Sequence, residues 1–193
     1  KYDFKEFILV TGYKHKIIEN YFKKKEFKNN ISVKCIYTGL KTNTGGRILK
    51  LKKLFEKNED FMLTYGDGIS SVDLLKLKRF HKKHLRVATV TVVRPPARFG
   101  VVSFNNNSNL VKKFSEKPKT DMGWINGGFF VLNSKVFNFF KNRNEIFEYQ
   151  VLKRLTVSNN LFARKHKGIW QCCDTPRDKT LITKIIKNNL LKI

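Results

Sequence analysis

Cysteine is scarce in this 193-residue chain: Cys35, Cys172 and Cys173 are all it has. They form no Cys-x-x-Cys pair and their number is odd, so a disulfide framework does not hold this fold. They read as buried free thiols of a cytoplasmic protein in a reducing compartment. Long apolar runs are lacking too. None approaches the roughly 20 residues of a membrane span, and no secretory signal pattern opens the chain. Acidic residues are few, 15 against 40 lysines and arginines, for a net charge of +25. That balance suits a nucleic acid, a membrane surface or an anionic small substrate. Because the lysines are spread along the chain, the charge reads mostly as a solvated face with a bias toward anionic ligands. Methionine is confined to Met62 and Met122 and the chain opens on Lys1, so the natural start is expected upstream. No Ser/His/Asp or Cys/His arrangement stands out, and His81 and His84, three apart on an expected helix, read as surface residues. No internal repeat or low-complexity linker is visible, which leaves a single domain over 1–193 with a sizeable core.

What the chain does have is an alternation of strand and helix patterns. Short apolar runs at 6–10 and 61–65 and the alternating Ile31, Val33, Cys35 and Tyr37 read as strands. Helical spacing follows at 14–22, 47–55 and 72–81, the last with Ser70 and Ser71 as caps. Strand, helix, strand, helix, strand, helix predicts an α/β fold with a mainly parallel sheet covered on both faces. The second half is richer in strands, at 87–93, 129–132, 161–166 and 169–173, with a hairpin formed by 101–104 and 110–114. Stretches 136–140 and 147–155 look helical. Thr175-Pro176-Arg177-Asp178 is a capped helix start, and Leu181, Ile182, Ile185, Ile186 and Leu190 are its expected buried stripe.

Phe61–Gly68, FMLTYGDG, is the stretch on which the chemistry turns. An apolar strand ends there in Gly66-Asp67-Gly68, and ligands of open α/β sheets bind at the carboxyl ends of strands. Asp67 fits a plain Asp-Gly turn or a hard oxygen ligand for Mg²⁺ shared with a phosphate. Asp174 occupies the same kind of position between an apolar strand and a capped helix, where it serves as a second metal carboxylate or as support for the helix dipole. TNTGGR at 42–47 fits a tight turn, or a helix start whose N–H groups meet an anion or a base edge. RPPARFG at 94–100 is a strand-ending turn or a rigid loop with an approachable glycine, and Glu116-Lys117-Pro118 is a solvated pair or an acid–base pair at a hairpin end. WINGG at 124–128 is a glycine bulge beside a buried Trp, or a sugar site with one directional amide and one flat apolar wall.

Together TNTGGR, FMLTYGDG, RPPARFG, EKP, GWINGGFFVL and DTPRD, in this order and spacing, resemble the sugar-phosphate nucleotidyltransferases, in particular their cytidylyl branch. The resemblance runs from about Phe7 to the last helix. It implies a three-layer, Rossmann-like nucleotidyltransferase fold with a mixed, mainly parallel central sheet. It implies that Asp67 and Asp174 hold Mg²⁺, that Thr42, Gly46, Arg47 and Gly66 contact the nucleotide, and that Gly100, Glu116, Lys117, Trp124, Asn126 and Gly127 line the sugar-phosphate site. Asp67, Lys117 and Asp174 would be catalytic, with Lys117 neutralising the sugar phosphate. The implied reaction joins CTP to glucose 1-phosphate, giving CDP-glucose and pyrophosphate for lipopolysaccharide O-antigen biosynthesis. The implied setting is a cytoplasmic homo-oligomer without nucleic-acid or membrane partners.

Two features separate the chain from that family. The first strand and its Gly-rich phosphate loop are absent, so the fold is expected to be N-terminally incomplete and 1–193 alone inactive and prone to aggregate. Cys172-Cys173 also replaces the family's usual residues before the second Asp. Two other readings compete. A basic nucleic-acid-binding module would account for the charge but needs a basic stripe with interleaved aromatics. A nucleotide-sugar-dependent glycosyltransferase would also use a carboxylate-held metal, but from an Asp-x-Asp pair rather than Tyr-Gly-Asp-Gly.

Overall fold

The computed structural model describes residues 2–94, 101–104, 108–115 and 123–191. In chain order the first part runs β1 (Glu6–Thr11), α1 (His15–Lys23), β2 (Ser32–Tyr37), α2 (Thr44–Leu49), a 3-10 turn (Lys52–Leu54) and β3 (Asp60–Thr64). Next come β4 (Gly68–Ser70), α3 (Leu74–His84), β5 (Ala88–Val93), β6 (Val101–Phe104), β7 (Val111–Ser115) and β8 (Ile125–Asn133). A 3-10 segment (Ser134–Phe139) and a π-turn (Phe147–Val151) lead into α4 (Leu152–Val157), β9 (Leu161–His166), β10 (Trp170–Cys172) and α5 (Pro176–Lys187).

The expected strand–helix alternation is present. β1 and β2 pair in parallel, β4 with β10 and β6 with β7 antiparallel, and a four-stranded sheet has the order β3-β8-β5-β9. β8 runs against β3, since the Tyr65 N–H donates to the Gly128 carbonyl at 3.3 Å and the Ser134 N–H to the Glu59 carbonyl at 2.7 Å. The sheet is therefore mixed, with most strands pointing one way.

The chain divides into two compact units. The first comprises Lys1–Phe61, Leu85–Ala88 and Leu132–Leu161. Its parallel pair β1–β2 needs a crossover, which α1 supplies. The apolar face of α1 is not a core face, however, with Ile17 at 65% and Tyr21 at 59% exposure. The core of this unit is Leu132, Val136, Phe147, Val151 and Leu155, all fully buried. Phe55, Phe61 and Phe137 stack beside each other at centroid distances of 4.1 to 6.0 Å. Buried Glu145 is paired with the Arg154 guanidinium at 2.6 Å, the kind of partner a buried carboxylate requires.

The second unit comprises Met62–His84, Thr89–Val131 and Phe162–Ile193. Val72, Leu77 and Val131 form its core cluster, with Met62, Leu74 and Phe129 packed against them. The β-branched run of β5 is buried almost throughout, as expected of a strand covered on both faces.

Several local expectations are corrected. β4 is an additional strand, set by its ladder to β10 (Ser70↔Trp170, Ile69↔Gln171, Gly68↔Cys172). α3 consequently starts at Leu74, with the Asp73 carboxylate accepting from the Lys76 N–H at 2.9 Å. That bond, ahead of the nearby lysine charge, holds the Asp73 pKa below its usual value. His81 is buried rather than at the surface. Its Nδ1 lies 2.8 Å, and His84 Nε2 2.7 Å, from the single Thr89 hydroxyl. The capped start of α5 forms as a full capping box, but its apolar stripe is not buried: Leu181, Ile186 and Leu190 are exposed, and Ile182 and Ile185 half-buried. Spacing defines the face of a helix, while its neighbours decide how much of that face is covered. The three thiols are free as expected, yet Cys173 is exposed rather than buried. At Cys35 burial, followed by the Glu19 charge, pushes the thiol pKa up and keeps it protonated.

Candidate active site

β3 ends at Thr64, and the chain turns through Gly66-Asp67 into β4. One step beyond the β4–β10 ladder, the Cys173 N–H donates to the Asp67 carbonyl at 2.9 Å. That bond makes Asp67 and the Cys173–Asp174 peptide backbone neighbours. Asp174 is held in turn: its N–H donates to Asp178 Oδ2 at 3.3 Å, and its own Oδ2 accepts from the Cys172 thiol at 3.1 Å. Asp178 is buried and also accepts from the Thr175 N–H, the Thr175 hydroxyl and the Gln171 side-chain amide. The capping box of α5 is thus also the seat of Asp174. A Cβ at Gly66 or Gly68 would meet nothing within 4 Å, so open space flanks Asp67 on both sides.

The facing wall comes from β8. Asn126 donates from Nδ2 to the Tyr65 hydroxyl at 3.1 Å and accepts the Gly128 N–H on Oδ1 at 2.8 Å, which fixes its amide plane. Gly128 has φ +76°, and a Cβ there would sit 2.7 Å from the Tyr65 ring, so both backbone and neighbour require glycine. The Trp170 indole N–H donates to the Gly127 carbonyl at 2.8 Å. Tyr65, Asp67, Asn126, Gly127, Trp170 and Cys172 line one pocket. Trp124, half-buried, has Arg94 Cζ 4.8 Å and Lys165 Nζ 5.4 Å from its ring centroid.

Thr42, Gly46 and Arg47 gather in the first unit. Arg47 Nη1 donates to the Thr11 carbonyl at 3.0 Å and the Thr38 hydroxyl at 2.7 Å, and Nη2 to the Leu40 carbonyl at 3.5 Å. Thr42 donates to the Thr38 carbonyl at 2.6 Å, and Lys50 reaches the same oxygen. The helix begins at Thr44, so the two glycines lie inside it rather than in a turn before it. A Cβ on Gly45 would come 2.5 Å from the Glu145 carbonyl oxygen, and one on Gly46 would collide with that of Arg143. The glycines therefore allow close packing in this unit. Gly100, Glu116 and Lys117 lie outside the described residues.

The donor set suits Mg²⁺. Asp67 and Asp174 offer carboxylate oxygens on adjacent strand ends, and this ion is usually held by one or two carboxylates with the substrate phosphates completing its shell. Among the described residues no cluster of three or more His, Cys, Asp or Glu forms an all-protein cage, as Zn²⁺ would require. Tyr65 and Trp170 line the pocket although motif reading gave them no role. The parity of β8 carried a signal, since Trp124, Asn126 and Gly128 fall on one face.

Three comparisons place this geometry among known proteins. The nucleotidyl transferase family matches residues 1–177. A glucose-1-phosphate cytidylyltransferase of Salmonella typhimurium is 35% identical over 198 residues, covering 92% of this chain and 76% of the relative. A mannose-1-phosphate guanylyltransferase of Arabidopsis thaliana is 30% identical over 97% of this chain and 53% of its own length. In fold, HddC from Yersinia pseudotuberculosis superposes with a TM-score of 0.70 at 23% identity, over 95% of this chain and 80% of that one. The expected Rossmann-like α/β architecture is the one these proteins share. The chain belongs to the nucleotidyl transferase family.

Proposed function

We propose that the protein transfers a cytidylyl group from CTP to glucose 1-phosphate, forming CDP-glucose and releasing pyrophosphate. The observation that carries the reading is the backbone junction of Asp67 with Cys173–Asp174 opposite the fixed Asn126 amide. The 35% identity to a cytidylyltransferase supports the choice of base and sugar.

The chemistry asks little of a general base. A sugar phosphate near pH 7 is already largely a dianion, with a second pKa of about 6. One of its oxygens forms a bond to the α phosphorus of the nucleotide while the bond to pyrophosphate breaks. The barrier lies in bringing polyanions together and in stabilising the leaving group, tasks of positioning and positive charge. Asp67 and Asp174 would hold Mg²⁺, which supplies charge neutralisation on the phosphates when bound. Lys117 neutralises the sugar phosphate, while Glu116, Gly100 and Trp124 complete its pocket. Asn126, oriented by Tyr65, presents its amide edge to a sugar hydroxyl, and Gly127 keeps the wall flat. Gly66 admits the nucleotide close to the backbone. Residues 1–193 belong to a single nucleotidyltransferase domain of a cytoplasmic homo-oligomer that supplies O-antigen biosynthesis. Among the described residues no helix is long and apolar enough to cross a membrane.

A pyrophosphate-release assay of the full-length protein, with four nucleotides crossed against several sugar phosphates, tests this. CTP with glucose 1-phosphate is expected to lead every other pair by about tenfold or more in kcat/KM. Preference for GTP with mannose 1-phosphate, or for dTTP or UTP, would sink the cytidylyl assignment and leave the family intact.

A further inference from the structure

Two cations converge on one indole at the end of the four-stranded sheet. Arg94 directly follows β5, Lys165 lies in β9 and Trp124 directly precedes β8, and the order β8-β5-β9 makes those strands neighbours. Arg94 Cζ and Lys165 Nζ stand 4.8 and 5.4 Å from the Trp124 centroid. The ring attracts each cation modestly, while the like charges oppose each other. Some cations of the described residues have carboxylate partners: Lys5 with Asp3, Lys16 and Lys23 with Glu19, Lys76 with Asp73, Arg154 with Glu145. Among the described residues neither Arg94 nor Lys165 has a carboxylate within ion-pair distance. Both are exposed, so an incoming ligand can reach them.

Two cations held on one indole suit a dianion. A phosphomonoester carries about −1.5 to −2 near neutral pH, the guanidinium fork matches two of its oxygens, and the ammonium adds a point charge. The period of a strand places Trp124 and Asn126 on one face, about 7 Å apart along the chain. Asn126 lines the pocket of Asp67, so the residue that carries both cations lies two positions along the chain from that pocket's wall. We propose that Arg94 and Lys165 bind the phosphate of the sugar-phosphate substrate, with the Trp124 indole holding both cations in place. The identity of that substrate rests on the function proposed above; the anion site itself rests on the geometry.

The test uses the full-length protein and the variants Arg94→Gln, Lys165→Gln and Arg94→Lys. Each Gln variant is expected to raise the KM for the sugar phosphate about tenfold, or 1.4 kcal/mol, with the nucleotide KM within about twofold of wild type. Arg94→Lys recovers part of the loss, because it keeps the charge but not the fork. An unchanged sugar-phosphate KM, or an equal rise in both KM values, overturns the assignment. Calorimetric titration with inorganic phosphate reads the site without turnover, and about a tenfold weaker affinity in both Gln variants is expected. If no nucleotide and sugar-phosphate pair turns over, the functional reading fails while this titration still decides. Weakened phosphate binding in both variants upholds the anion site. Equal affinity in wild type and variants, or no binding by the wild type, ends it.

Discussion

Asp67→Asn and Asp174→Asn are each expected to lower turnover of the full-length enzyme by roughly 10²–10³-fold, the range seen when a preorganised charge-stabilising group is lost. The amide keeps the shape of the carboxylate and removes its charge, so the change falls on metal and phosphate rather than on packing. Neither fold nor junction depends on the side-chain charge. Asp67 is tied to Cys173 through its backbone carbonyl, and Asp174 to Asp178 through its backbone N–H. Thermal midpoints should therefore stay within a few degrees of wild type. If the two carboxylates share one ion, the double variant is little worse than either single one, as for groups that act as a unit. Independent multiplicative losses in the double variant, or near-normal turnover in either single one, would refute the shared ion. Direct Mn²⁺ binding followed by electron paramagnetic resonance gives a second readout: one lost site in each single variant, and no further loss in the double.

Gly46→Ala should do comparable damage by an unrelated route. Its new methyl group would strike the Arg143 carbonyl, a backbone oxygen with no rotamer to escape into. Overpacking of this kind costs about 3 kcal/mol or more, which for a chain of this length lowers the melting midpoint by roughly 6–12 °C. Gly66→Ala is the matched contrast. Open space surrounds that position, so stability should change by no more than about 0.5 kcal/mol in either direction. If Gly66 admits the nucleotide, the same methyl raises the nucleotide KM about tenfold without touching the melt. Melting curves and nucleotide titrations of the two variants, side by side, separate a packing glycine from a ligand glycine. A stable Gly46→Ala would contradict the packing argument, and unaltered kinetics in Gly66→Ala would remove it from the nucleotide site.

That contrast also marks what the sequence could and could not reveal. Both positions sit in glycine motifs, and from residue type alone both look like places where a ligand approaches. Only the loop at 143–147, about a hundred residues downstream, shows that the TNTGGR glycines serve helix packing. The positions of Asp67 and Asp174 near strand ends were legible because each comes a few residues after an apolar strand. The Tyr65–Asn126 bond was not legible, since it depends on the register between β3 and β8. β4, three residues long, has no pattern of its own and exists through its ladder to β10. His81 and His84 are spaced like surface residues on a lysine-rich helix, yet the Thr89 hydroxyl gives them a reason to turn inward. In α5 the apolar spacing was real and the burial was not, because spacing says nothing about what lies opposite.

The hydrogen bonds of Asp178 have a mechanical consequence. One carboxylate closes the first turn of α5 and also grips the peptide that carries Asp174, so helix and active-site loop have no independent hinge between them. A fraying fluctuation of that turn, which for most helix ends is a harmless local event, here displaces Asp174. If Asp174 holds the metal, the rigidity of a surface helix sets how long the site stays assembled.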